Sequence, residues 1–208
     1  MAESAMIAAL MPSPIGHVMA GVAAAWTADL IPGDREWRSA PATAGWYARA
    51  GGGFTVVCGA LAAAPDLDLF FGGHRTMTHS LVAAAVVGLC AGAVAAATRR
   101  PIARVALTCA LAYATHLLLD VLEADPFPPE GIQLLWPFSR DWFISGWNVF
   151  EYTERRHLFS AFSLSQNAKA LVREVGILGP IAIVTWLVRV KALAGLSTEL
   201  ACGDHPTQ

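Results

Sequence analysis

The sequence predicts an all-α fold: a multi-helix membrane-embedded bundle with a His/Asp metal site at one end. Three observations predict it. Hydrophobic residues make up 55% of the 208 residues and charged residues only 14%, against about 25% charged in an average soluble domain, and mean hydropathy is +0.49. Long apolar runs recur, and no alternating pattern persists long enough to build a sheet. Histidines and aspartates gather at the edges of those runs, where burial is costly unless they pair or bind a metal.

Residues 1–200 read as one helical domain followed by a polar tail, 201–208, expected to be disordered. A net charge of −2 without a dense Lys/Arg stripe gives no nucleic-acid signal. Cys58, Cys90, Cys109 and Cys202 form no CxxC pair, so they are expected as free thiols rather than a zinc or redox motif. The acidic start Met1-Ala2-Glu3-Ser4 and the breaks at Pro12, Pro14 and Gly16 do not make a cleavable leader, so internal helices direct insertion.

Taken in order, Ser13-Pro14 is an N-cap followed by proline at the first helical position. The helix runs to about Ala28 and carries His17 in its first turn. Residues 29–50 mix charges, tryptophans and turn formers and are expected as a loop with one short helix. Gly51-Gly52-Gly53 is a breaker; the GxxxxGK[ST] phosphate-loop pattern is absent. An apolar helix from Phe54 to Ala64 is expected to stop at Pro65.

Leu81–Thr98 is free of charge, and in Val105–Leu119 only His116 can ionise. Spanning hydrocarbon takes roughly 20 apolar residues, with a lower limit near 17. The first run meets that; the second does so only if His116 and Asp120 belong to the span. Alanine and glycine dominate both, as where membrane helices pack backbone to backbone. The basic turn 99–104 lies between them. Residues 123–160, rich in proline and aromatics, suit a loop at a membrane interface. A last apolar helix covers about Val175–Val188 and ends in Arg189 and Lys191. The basic turn and Arg189/Lys191 mark cytoplasmic ends, so the His/Asp end faces outward, although the mixed charges of 140–174 partly oppose this.

The two central runs make an antiparallel hairpin, in which residues at equal height have numbers summing to about 199. His79 is then level with Asp120, and His116 lies one turn further in. Residues 116 and 120, four apart, share a helix face. His74 and His79 flank the start of the other helix, where Thr78 or Ser80 can cap free amides. Asp66 and Asp68 do not share a helical face, so their segment must leave the helix for both carboxylates to converge. The connection 65–80 stays at one end of the bundle, and His17 can join it there. Each residue also has an ordinary reading. His17 could be a hydrogen-bonded interfacial histidine, Asp66-Leu67-Asp68 a solvated helix stop, and His116 with Asp120 a buried pair. Those accidents would all have to fall at one end of one bundle. Arg75 either neutralises an anionic substrate or pairs with one of the aspartates. His157 and His205 read as surface histidines.

Pro14-Ile15-Gly16-His17, Pro65-Asp66-Leu67-Asp68, His74-Arg75-Thr76-Met77-Thr78-His79-Ser80 and Thr115-His116-Leu117-Leu118-Leu119-Asp120 resemble the YdjM-type membrane-bound metal-dependent hydrolases. The stretch Gly131-Ile132-Gln133-Leu134-Leu135-Trp136-Pro137-Phe138-Ser139 resembles the family's segment after its last ligand. The resemblance covers residues 12–150 and implies an integral protein of a bacterial inner membrane. It also implies a ligand set that includes His17, Asp66 and Asp68. A distant similarity to zinc-dependent phospholipase C and P1-type nucleases, which share an HxxxD helix element, points toward phosphoester or lipid-like substrates.

The expected activity is metal-assisted hydrolysis by a metal-activated water. Imidazole and carboxylate ligands without thiolate suit Zn²⁺ first, with Mn²⁺ or Fe²⁺ as alternatives. Seven candidates (His17, Asp66, Asp68, His74, His79, His116 and Asp120) exceed the needs of one zinc ion. Either more than one ion binds or some members orient the others. Arg75 is expected to stabilise anionic charge, with Glu123 or Asp125 as base. The expected partners are membrane lipids and a small-molecule or lipid substrate. The rival readings are a non-catalytic metal-binding protein and a structural membrane module.

Overall fold

In a computed structural model the chain is helical, and the structure describes residues 13–34, 36–70, 74–154 and 159–203. The acidic start, His157, His205 and the tail beyond residue 203 lie outside the described residues. The first helix, α1 (Pro14–Ala28), begins as the sequence predicts: the Ser13 hydroxyl accepts from the Gly16 amide at 3.2 Å, and Pro14 opens the first turn. Residues 29–50 hold a 3₁₀ turn, Glu36–Arg38, and one short helix, α2 (Trp46–Arg49).

The glycine breaker proves to be a helix start. Gly51 adopts φ +93° as the cap of α3 (Gly52–Ala63), and a Cβ there would lie 2.7 Å from the Arg38 guanidinium. Nor does Pro65 end the helical path. The chain tightens into a 3₁₀ segment, Ala64–Phe70, in which each residue turns further about the axis than in an α-helix. Ser80 caps α4 (Leu81–Ala97) by accepting from Ala83 at 3.1 Å, and α5 (Ile102–Val121) returns antiparallel to it.

Small residues set the spacing of the bundle. On α4 the buried face is Ala84, Gly88, Gly92 and Ala95. A Cβ at Gly88 would sit 3.1 Å from the carbonyl of Ala106 on α5. The first helix α1 packs against both α3 and α5, and a Cβ on its Gly21 would lie 2.6 Å from the Cys58 carbonyl of α3. Between the two ends of the bundle the core is dry: Ala25, Cys58 and Ala112 in one cluster, Ala95, Val105 and Cys109 in another. Cys58, Cys90 and Cys109 are free thiols, as expected; the Cys202 side chain lies outside the described residues.

The last helix differs most from expectation. Instead of Val175–Val188, α6 runs from Ala161 to Gly203, 43 residues, with Pro180 inside it. Its first turns carry Ser163, Gln166, Asn167, Lys169 and Arg173, which hide a helix from a search for apolar runs. Proline is tolerated within membrane helices because neighbouring groups satisfy the freed backbone. Among the described residues three helical stretches are long and apolar enough to cross a membrane: Gly52–Leu69, Ile102–Val121 and Ala161–Gly195; α4 is shorter. Arg189 is no solvated end-marker. It is buried, its Nε 2.6 Å from Asp29, which Arg38 holds at 2.8 Å. Arg104 caps the carbonyls of Ala28 and Ile31 at 2.8 and 2.7 Å. Arginines thus lock the end of the bundle at which α1 finishes; His17 marks the other.

Candidate metal centre

The geometry is clearest from the imidazoles. His116 projects from α5, and its Nδ1 lies 2.7 Å from the Ala62 carbonyl of α3. A carbonyl only accepts, so Nδ1 carries a hydrogen, and in the neutral ring Nε2 presents a lone pair. His79 precedes α4 in a segment pinned by the Tyr113 hydroxyl, which donates to the Thr78 carbonyl at 2.7 Å. Its Nδ1 lies 3.2 Å from Asp68 Oδ2, while the Thr78 hydroxyl donates to that same oxygen at 2.5 Å. His79 Nδ1 is therefore the donor to Asp68, and in the neutral ring its Nε2 also presents a lone pair. These two Nε2 atoms face each other at 3.1 Å. Two ring nitrogens meet at that distance in a buried site only with a proton or a metal ion between them.

The surrounding carboxylates fit an ion there. His116 Nε2 is 3.2 Å from Asp66 Oδ1 and 3.3 Å from Asp120 Oδ2. His79 Nε2 is 3.7 Å from Asp66 Oδ1 and 3.5 Å from Asp120 Oδ2. Tetrahedral zinc bonds of about 2.0–2.2 Å imply ligand–ligand edges of about 3.3–3.6 Å. The observed separations bracket that range. Both oxygens of Asp66 and of Asp120 are buried without a hydrogen-bond partner, as are both ring nitrogens of His17 and His74 Nε2. Native proteins rarely leave such atoms unsatisfied. Among the described residues the ion-pair partners of Asp66, Asp68 and Asp120 are imidazoles.

His17 is fully buried, stacked on His116 at 3.7 Å between ring centroids, with Nε2 3.6 Å from Asp120 Oδ1. His74 Nδ1 is 2.6 Å from Asp68 Oδ1. Two triads emerge, His17–His116–Asp120 and Asp66–His74–His79, each with ligand atoms within 4.8 Å of one another. The 3₁₀ turn lets the two neighbouring aspartates embrace His79 from opposite sides, Asp66 at Nε2 and Asp68 at Nδ1. Asp68 has both oxygens engaged, by His74 on one and by His79 and Thr78 on the other. Burial pulls the His74 imidazole below its ordinary pKa, Asp68 opposing. Burial also acts downward on His79, but the neighbouring carboxylates of Asp66, Asp68 and Asp120 prevail and raise it.

Arg75, Glu123 and Asp125 form a cluster of their own. The Arg75 guanidinium pairs with Asp125 and, at 3.1 Å, with Glu123 Oε2. Asp125 also accepts from the Gly131 amide at 2.9 Å, which ties it into the loop. Glu123 is fully buried, its Oε1 has no partner, and burial pushes its carboxyl well above the ordinary range against the pull of Arg75. Arg75 is thus engaged by the two residues expected as bases rather than by Asp66, Asp68 or Asp120.

One participant escapes sequence reasoning. Glu174 of α6 is fully buried and accepts from the Ser13 amide at 2.6 Å and from the Ser13 hydroxyl. It braces the start of α1, four residues ahead of His17. A Cβ at Gly16 would meet Glu174 Oε2 at 2.6 Å, so glycine makes room for the brace. The available signal was the one that exposed the other carboxylates: an acidic residue at the edge of an apolar run.

No curated protein and no solved structure matches the chain. The family described as YdjM inner membrane protein matches residues 11–194, a span that takes in both triads and continues through most of α6. With that match and its membrane-length helices, the chain belongs to the YdjM inner membrane protein family and is an integral inner-membrane protein.

Proposed function

We propose that the protein is a membrane-bound metal-dependent hydrolase. The observation that carries this reading is the pair of imidazole Nε2 atoms, of His79 and His116, facing each other between Asp66 and Asp120. His79, His116, Asp66 and Asp120 would hold the first ion, and His17 and His74 extend the set toward a second. Nitrogen and oxygen donors without thiolate favour Zn²⁺, with Mn²⁺ or Fe²⁺ next. A bound divalent ion supplies Lewis acidity and brings the pKa of water to about 7.

The chain's own residues do the rest. Asp68 fixes the tautomer and aim of His74 and His79 by taking their Nδ1 hydrogens. The Ala62 carbonyl does the same for His116. Glu123, nearly one turn beyond Asp120, is the candidate to carry a proton, since Oε1 is unpartnered and burial raises its proton affinity. Arg75 and Asp125 position it. The test is elemental analysis of the purified protein with a hydrolysis panel of phosphomonoesters, phosphodiesters and carboxylic esters. Stoichiometric transition metal, lost in both His79→Ala and His116→Ala together with hydrolysis, is the expected result. Absence of metal makes the cluster a packing device; metal without hydrolysis makes it a binding site.

A further inference from the structure

The centre has a sealed side and an open side. The side chains of His17, His79 and His116 are 0% exposed and Asp120 1%, whereas His74 keeps 13%, Asp66 10% and Asp68 9%. Whatever reaches the centre therefore passes Asp66, Asp68 and His74. The rim of that opening is apolar. Leu67, between the two aspartates, is 56% exposed, and so is Met77, next to the Thr78 that bonds Asp68. Leu81, opening α4, is also exposed. An acyl chain can lie along such a rim.

Depth points the same way. Along α5, His116 and Asp120 lie about 21 and about 27 Å beyond Ile102 at 1.5 Å per residue. Both therefore fall within a hydrocarbon layer about 30 Å thick. Asp66 and Asp68 likewise belong to the membrane-length stretch Gly52–Leu69. Lipid phosphates lie just outside the hydrocarbon, within about 6 Å of its edge. On the loop that follows α5, Phe138 and Trp147 stand 88% and 78% exposed, as side chains that settle at headgroup level do.

We propose, resting on the hydrolase reading above, that the substrate is a phosphate-bearing lipid. It enters sideways from the bilayer, its chains along Leu67 and Met77 and its phosphate passing Asp66, Asp68 and His74. The test compares two ligands with the same phosphate monoester, dihexanoyl phosphatidic acid and glycerol phosphate. The full-length protein is loaded with Mn²⁺ in detergent, and the phosphorus NMR line broadening of each ligand is titrated. The chain-bearing ligand should bind at least about tenfold tighter. The double variant Leu67→Gln/Met77→Gln should abolish that preference while leaving glycerol phosphate and the Mn²⁺ stoichiometry unchanged, which also controls for partition into the micelle. Equal affinity for the two ligands in the wild type overturns the proposal, as does a preference that survives the double variant with its centre intact. If the double variant loses Mn²⁺, the wild-type comparison decides. Failure to load any of Zn²⁺, Mn²⁺ and Fe²⁺ overturns the metal reading and this proposal with it, and a centre that takes only Zn²⁺ is put to the same two ligands by competition binding. A phosphatidate preference without turnover upholds the lipid site and overturns the hydrolase reading.

Discussion

Replacing Asp68 by asparagine separates residues that hold an ion from one that aims them. Asp68 accepts from His74 at 2.6 Å, from His79 at 3.2 Å and from Thr78 at 2.5 Å. Asparagine keeps one accepting oxygen and turns the other into a donor, so one imidazole loses its partner and is free to swing or change tautomer. Loss of such an orienting carboxylate typically weakens metal binding about 10–100-fold, or about 1.4–2.7 kcal/mol. The assay is competition for Zn²⁺ between the purified protein and a chromophoric chelator, with Asp120→Ala in parallel. Asp68→Asn should bind a full complement of metal with lowered affinity, and Asp120→Ala should lower the stoichiometry. An Asp68→Asn affinity within twofold of wild type refutes the orienting role. A stoichiometric loss equal to that of Asp120→Ala makes Asp68 a ligand.

Stripping the metal with a chelator should lower the melting temperature. A ligand at about 100 times its dissociation constant contributes about 2.7 kcal/mol, roughly 5–10 °C for a chain of this size, and Zn²⁺ should restore it. Gly21→Ala drives a Cβ to 2.6 Å from the Cys58 carbonyl, so α1 must separate from α3. A loss of about 1–3 kcal/mol is expected, with weaker metal binding because His17 rides on α1, whereas Gly176→Ala, in open space, should leave stability at or above wild type. Glu123 takes up protons more readily folded than unfolded. Its contribution is full at low pH and lost as pH rises through the folded value, so Glu123→Gln should gain on wild type in unfolding free energy as pH rises above the ordinary carboxyl value of 4.5.

The hairpin arithmetic was legible because it needs only the position of a turn: with residues 99–100 at the bend, His79 falls level with Asp120, and their side chains meet at 3.5 Å. His116 and Asp120 were legible from helical periodicity alone. The 3₁₀ turn was not. Pro65 ordinarily stops an α-helix, and nothing local in Pro65-Asp66-Leu67-Asp68 distinguishes a stop from a tightening. Glu174 stayed hidden because polar residues 161–174 interrupt the hydropathy signal although the helix continues. Asp29 and Arg38 stand among the mixed charges of residues 29–50 and Arg189 at the end of an apolar run, and a partner 160 positions away leaves no trace in sequence spacing.

The length of α6 has a mechanical consequence. At 1.5 Å per residue its 43 residues reach about 65 Å, roughly twice the hydrocarbon thickness. The portion before Glu174 buttresses the stretch above the centre, through Arg173 to Glu151 at 2.6 Å and Asn167 to Glu154 at 2.9 Å. One rod is thus mast and stay together. A thinner bilayer that tilts it drags the covering stretch and the Ser13 end of α1 in concert, so membrane thickness becomes an input to the alignment of His17.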